Sequence, residues 1–198
     1  MDRNRSTEVD WSRELTDQLE WHWGNQVRPR LDGLTAAEYF WQPVDGCWTI
    51  SRRGESSAPI SVGAGEFTMD YSMDRRHLEP VTTIAWRLAH IVVAVFAMRN
   101  ATHFDGPPAD YRTWEYAGTA KEALAQLDEA HAAWIAGVRG IGAGGLAWCT
   151  GGEEAGGAFA DTPFAALVLH IHREVIHHGA EVSLLRDLYA WKGDRDAL

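Results

Sequence analysis

Apolar residues recur at helical spacing in four stretches of the chain, with polar punctuation between them. In residues 6–27, Val9, Leu15, Leu19, Trp23 and Val27 fall near one stripe, and Pro29 follows as a stop. A second helix is predicted over 80–102, with Pro80 in its first turn and VTTIAWRLAHIVVAVFAMRNA behind it. It is apolar almost all round, the pattern of the most buried helix in a fold. A third is predicted over 119–138, with Thr119 as N-cap and Glu122 completing a capping box. Leu124, Leu127, His131, Trp134 and Val138 line one of its faces. The fourth starts after Asp161 or Thr162, takes Pro163 into its first turn and reaches about Trp191.

The connections are less regular. Residues 30–79 form a long link in which GCWTISRR and GEFTMDYS favour strand, which predicts a short β-hairpin. Residues 140–160 hold eight glycines, including Gly140-Ile-Gly142-Ala-Gly144-Gly145, which satisfies GxGxxG. That phosphate-binding fingerprint needs a strand before it and a helix after it. Here a helix precedes and more glycine follows, so a mobile loop is predicted. The fold class expected is all-α: one domain over 1–198, a four-helix bundle whose first long connection carries the hairpin.

Composition narrows the function classes. With 198 residues, 45% of them hydrophobic, one full-sized core is within reach. Acids outnumber bases 28 to 18, and the net charge of −10 repels phosphate backbones. The densest basic cluster, Ser51-Arg52-Arg53-Gly54, is too small to reverse that, so no nucleic-acid partner is expected. The opening MDRNRSTEVDWS has no signal-peptide character, and the longest apolar run, 91–98, is short of the roughly 20 residues of a membrane span. No membrane partner and a cytoplasmic location are therefore expected. Cys47 and Cys149 stand far apart and form no CxxC pair. The ten tryptophans read as packing residues.

Candidate chemistry concentrates in HIHREVIHHGAE, residues 170–181, with four histidines and two glutamates. At about 100° per residue, His170, Glu174, His177, His178 and Glu181 share one quadrant of the helix. The apolar stripe of Phe164, Leu167, Ile171, Val175, Val182, Leu185 and Tyr189 overlaps and adjoins it, while His172, Arg173 and Arg186 point away. The ionisable residues thus border the core, where an unpaired charge is costly. Either they form a buried polar network, or some of them hold a metal. Glu174 and His178, at i and i+4, leave the same face one turn apart. His90 is the one strongly polar titratable residue inside IAWRLAHIVVAVFAM, either a satisfied core histidine or a third ligand from a facing helix. His22 and His103 are alternative third ligands. A His₂Glu set would suit zinc, nickel or iron and would leave coordination open.

The second helix carries WxxxH (Trp86-Arg-Leu-Ala-His90). The last carries Glu174-Val-Ile-His177-His178-Gly179-Ala180-Glu181, followed by Leu184-Leu185-Arg186. These motifs, after an early helix, resemble the DinB-like superfamily, whose members are four-helix bundles with a divalent-metal site made by three side chains. Glu174 stands where many members have the first histidine, Glu181 where many have glutamine, and Ala180 replaces the motif glycine. The Glu-xxx-His form is similar to that of the mycothiol-dependent maleylpyruvate isomerases; bacillithiol transferases are further relatives. The resemblance implies metal ligands His90, Glu174 and His178, and it makes 51–79 a long insertion.

It also implies a function: a metal-dependent enzyme that activates a low-molecular-weight thiol of the mycothiol type for S-transfer or isomerisation of a small-molecule substrate. Zinc is the first expectation for the metal, with nickel or iron next. His177 and Glu181 are expected beside the ion as proton acceptor or orienting groups, and Trp86 as a wall of the cofactor pocket. His170 is expected to orient its neighbours or simply to be buried. A homodimer is expected by the same resemblance. The alternatives are a metal-dependent hydrolase that activates water, and a non-catalytic metal-binding or structural bundle.

Overall fold

The computed structural model describes residues 9–72, 80–151 and 159–196. Its first helix, α1, spans Trp11–His22, capped by the Asp10 carboxylate, which accepts from the Arg13 amide at 3.2 Å. It runs on as a π-helical turn, Trp23–Val27, and a 3₁₀ turn, Arg28–Leu31, that takes in Pro29. The predicted stop is therefore a tightening of the helix. Residues before 9 lie outside the described residues. A short helix α2, Ala36–Tyr39, capped by Thr35, follows.

The predicted hairpin segments do pair, within a larger element. Strands β1 (Ile50–Arg52), β2 (Ile60–Val62) and β3 (Phe67–Tyr71) form an antiparallel sheet in the order β1-β3-β2. The central strand places Met69 opposite both Ile50 and Val62, and Met69 is fully buried. The chain is thus mostly helical with a small sheet, one strand more than the predicted hairpin.

Helix α3 covers Ile84–His90, continues through a π-helical stretch, Ile91–Ala97, and ends as α4, Met98–His103. It starts at Ile84 rather than Pro80 because the backbone before it is used otherwise. Trp48 N–H donates to the Val81 carbonyl and Thr83 N–H to that of Trp48, both at 2.9 Å, holding 81–83 extended. Thr83 then caps the helix, its hydroxyl accepting from the Trp86 amide at 3.2 Å. The stretch Ile84–His103 is long and apolar enough to cross a bilayer, but 67% of its most apolar window is buried inside this fold. It is the central core helix that its all-round apolar pattern predicts.

Helix α5, Ala120–Gly145, begins at the predicted cap; Thr119 accepts from the Glu122 amide and donates to its carboxylate at 2.9 Å. It runs past the predicted end at 138 into the glycine-rich segment, breaking only at Gly142, where φ is +63°. Burial of Leu146 and two hydrogen bonds hold that tail: the carbonyls of Leu146 and Trp148 accept from the amides of Ala165 and Phe164 respectively. The predicted loop shrinks accordingly, and 152–158 lie outside the described residues. Helix α6 runs over Phe164–Asp196, beyond the expected Trp191.

The α3–α4 rod packs against α5 and α6, while α1 lies along α5 and also touches α6. Leu88, Ile91, Phe96, Leu127, Trp134 and Ile171 are fully buried where these rods meet. Each such side chain contributes about 1.5–3 kcal/mol through the apolar area it removes from water. The sheet is tied to the rods through Trp86, whose Nε1–H donates to the Asp70 carbonyl at 2.9 Å.

Candidate metal centre

His90 ends the capped helix α3, and α6 passes beside it with Glu174 and His178 one turn apart. The three offer ligand atoms that all lie within 4.8 Å of one another. The rings of His90 and His178 meet edge to face, centroids 4.7 Å apart. Trp86, buried one turn before His90, stacks on its ring at 5.5 Å. Burial first, then the charges of His178 and Arg87, push the pKa of His90 down to about 3. At neutral pH its ring is uncharged, the form that donates a lone pair to a metal.

His178, itself buried, has a carboxylate on each side. Its Nδ1 lies 2.7 Å from Glu181 Oε2 and its Nε2 lies 3.1 Å from Glu174 Oε2. A neutral imidazole donates from one nitrogen only. Nδ1 also stands 3.3 Å from an arm of Arg87, which would require it to accept. The shorter contact, to Glu181, decides for donation, and Arg87 instead pairs with Glu181 through Nε at 2.9 Å. Nε2 then presents a lone pair beside the Glu174 carboxylate, an arrangement that a cation between the two atoms, or a second proton on the ring, makes favourable.

The Nδ1 of His90 is engaged in the same way, 2.8 Å from the hydroxyl of Tyr111. Both histidines therefore have Nδ1 fixed by an oxygen, the usual support of a histidine that binds metal through Nε2. Two imidazoles, each backed in this way, and a carboxylate fit a divalent ion such as zinc, nickel or iron.

The remaining candidates extend the row along α6. His170 Nδ1 is 3.5 Å from Glu174 Oε1, and His177 Nε2 is 3.5 Å from Glu181 Oε1. His170 is half-exposed and His177 is 69% exposed, so His177 sits at the rim. His177, His178 and Glu181 form a second cluster with metal-ligand spacing. It draws all three from one helix face with one of them in solvent, and it would take His178 Nδ1 from its support. The first cluster is the better site.

The alternative third ligands lie elsewhere. His103 packs edge-on against Phe164, centroids 5.1 Å apart, and His22 belongs to neither cluster. His22 instead lies near enough to His172 for its charge to be felt there. His172 does turn away from the ionisable quadrant, but into a second interior face, where it is buried.

Two supporting residues were not singled out as part of the site by sequence reasoning. Arg87 precedes His90 by three residues, a spacing that puts both on one helix face, so its place was open to deduction. Tyr111 comes from the link between α4 and α5, and no local pattern marks it. Its ring lies 5.7 Å from that of Tyr71 on β3, so the insertion also reaches the neighbourhood of the site.

A family model described as the DinB superfamily matches residues 68–182, more than half of the chain, from β3 through the whole histidine-rich segment of α6. No curated protein and no solved structure matches.

Proposed function

The chain belongs to the DinB superfamily, which includes metal-dependent enzymes, and from that premise we propose that His90, Glu174 and His178 hold a divalent metal in an enzyme that activates a small thiol. The reaction is S-transfer to, or thiol-assisted isomerisation of, a small electrophile. The scaffold is read as a single four-helix bundle formed by α1, the α3–α4 rod, α5 and α6. The observation that carries the reading is the convergence of two imidazoles and a carboxylate from two helices, each histidine braced at Nδ1. A zinc ion in that set, with nickel or iron as alternatives, would keep coordination open and lower the pKa of a thiol or water brought to it.

The chain's own residues supply the rest. Trp86 forms the wall behind His90 and fixes its ring plane. Glu181 Oε2 holds the Nδ1 proton of His178, with Arg87 pairing with that carboxylate and keeping it in place. Glu181 Oε1 faces His177 Nε2 at the solvent-exposed rim, where His177 can take up a proton released by the thiol and pass it to water.

Turnover of an activated aryl halide by zinc-loaded protein, with and without mycothiol, tests the reading. Thiol-dependent consumption that is lost in His178→Ala is the expected result. Turnover of an ester that proceeds without thiol would assign water as the nucleophile instead.

A further inference from the structure

The hydroxyl of Tyr111 lies 2.8 Å from His90 Nδ1, and that contact admits two arrangements of opposite consequence. If the phenol donates, His90 carries its proton on Nε2, and that nitrogen cannot bind a cation. If the phenol accepts, the proton is on Nδ1, and Nε2 offers its lone pair. A metal bound through Nε2 requires the second. Tyr111 is itself held in place, because the Tyr116 hydroxyl donates to its backbone carbonyl at 2.8 Å and its ring packs on Tyr71. On the other side, Trp86 stacks parallel to His90 with an interplanar angle of 9°, and the His90 and Tyr111 rings are 17° from parallel. The imidazole is therefore gripped in its plane with only the choice of tautomer left, and the tautomer with its proton on Nδ1 both meets the phenol oxygen and frees Nε2 for an ion.

We propose that Tyr111 is a positioning residue whose phenol oxygen accepts the Nδ1–H of His90 and so commits Nε2 to the metal. The inference rests on the metal reading of His90, Glu174 and His178. It gives the link between α4 and α5 a role in the site, since that link delivers an oxygen to a ligand on another element. For His178 the same service comes from Glu181, on its own helix. The two histidines are thus braced by groups of different chemistry, one neutral phenol and one carboxylate. A neutral brace leaves the charge of the donor set unchanged, which keeps an ion bound there more electrophilic than a second carboxylate would.

Zinc affinity, read by competition with a chromophoric chelator, and ¹⁵N-resolved imidazole spectra of metal-free and zinc-loaded protein test this together. Tyr111→Phe keeps the ring and removes the oxygen, Tyr71→Phe controls for the loss of a nearby hydroxyl, and His90→Ala reports loss of the ligand itself. The proposal expects His90 protonated on Nδ1 in the wild type. It expects zinc binding about 10- to 100-fold weaker in Tyr111→Phe, and within about twofold of wild type in Tyr71→Phe. A wild-type His90 protonated on Nε2, or a Tyr111→Phe protein that binds zinc as tightly as wild type while His90→Ala does not, overturns the role of Tyr111 alone. A wild type that binds no zinc overturns the metal reading and this inference with it.

Discussion

Helix α6 serves two ionic clusters, and they are completed differently. Arg186 meets Glu38 of α2 with two parallel contacts, Nε to Oε1 at 2.6 Å and Nη2 to Oε2 at 3.2 Å. Its remaining arm donates to the carbonyls of Arg30 and Asp32. Every arm of the guanidinium is engaged, and the Glu38 side chain is 7% exposed. Such a closed pair fixes the position of α2 against α6 and has nothing to offer a ligand. Eight residues earlier on the same helix, His178 faces a carboxylate oxygen from each ring nitrogen, with a neutral His90 beside it. When the His178 ring carries one proton, Nε2 and Glu174 Oε2 face each other at 3.1 Å with no hydrogen between them, room that a cation can fill. The difference separates a polar cluster that maintains the fold from one suited to a cation, and it rests on donor and acceptor arithmetic rather than on the number of charged residues.

Substitutions can break this comparison on either side. The largest effect is expected at the closed pair: Arg186→Ala leaves Glu38 buried without its partner and should cost about 3–5 kcal/mol in urea unfolding. The folded fraction of that variant should still bind zinc as the wild type does. A variant that loses zinc affinity in proportion to stability would show that the two clusters are one unit.

The next effect concerns pH. His131, stacked on Trp23 at 3.9 Å, and His172 are buried with Nε2 unpartnered among the described residues. Burial pushes both pKa values down to about 4. Their folded-state pKa lies below the usual 6.5, so the unfolded chain binds more protons in between. The stability they contribute is complete above about pH 6.5 and is lost as pH falls toward about 4. Each ring contributes at most about 3 kcal/mol of that loss. His172→Leu should flatten the slope of metal-free stability between those pH values, and an unchanged slope would show that His172 already ionises at its ordinary pKa in the fold.

At the open cluster, Glu181→Gln weakens the support of His178 and the pairing with Arg87. Zinc binding should fall about 10- to 100-fold with little change in unfolding. The smallest effect is expected at the cap that sets where His90 falls: Thr83→Ala should cost about 1 kcal/mol. A cost several times larger would mean that the Thr83 hydroxyl, which also contacts that of Thr49 at 3.0 Å, anchors the 48–49 segment as well.

Where the chain's local pattern governed the outcome, reading it was sufficient. The stripe of Leu127, His131, Trp134 and Val138 faces the core, and Thr119 caps its helix, because both follow from helical spacing and cap chemistry alone. The placement of Glu174 and His178, one turn apart on a face that adjoins the core, was legible for the same reason. The start of α3 was misjudged because Trp48, more than thirty residues away, takes the backbone of 81–83 into a bridge. Strand β2 was missed because Ile60-Ser61-Val62 is short and mostly exposed, and pairing with β3 is what makes it a strand. Beyond its break at Gly142 the glycine-rich tail of α5 is held by packing of Leu146 and contacts with the start of α6, which no propensity conveys. Tyr111 could not be found in advance, since only the path of the link between α4 and α5 brings its hydroxyl to His90.

Metal content measured on untagged protein, purified without chelator or a nickel column, tests the central claim most directly, beside His90→Ala and Glu174→Ala. About one equivalent of zinc, nickel or iron in the wild type, lost in both variants, is the result that a His90–Glu174–His178 site predicts. No bound metal in the wild type even after soaking with excess ions, or a full equivalent retained in both variants, would contradict it.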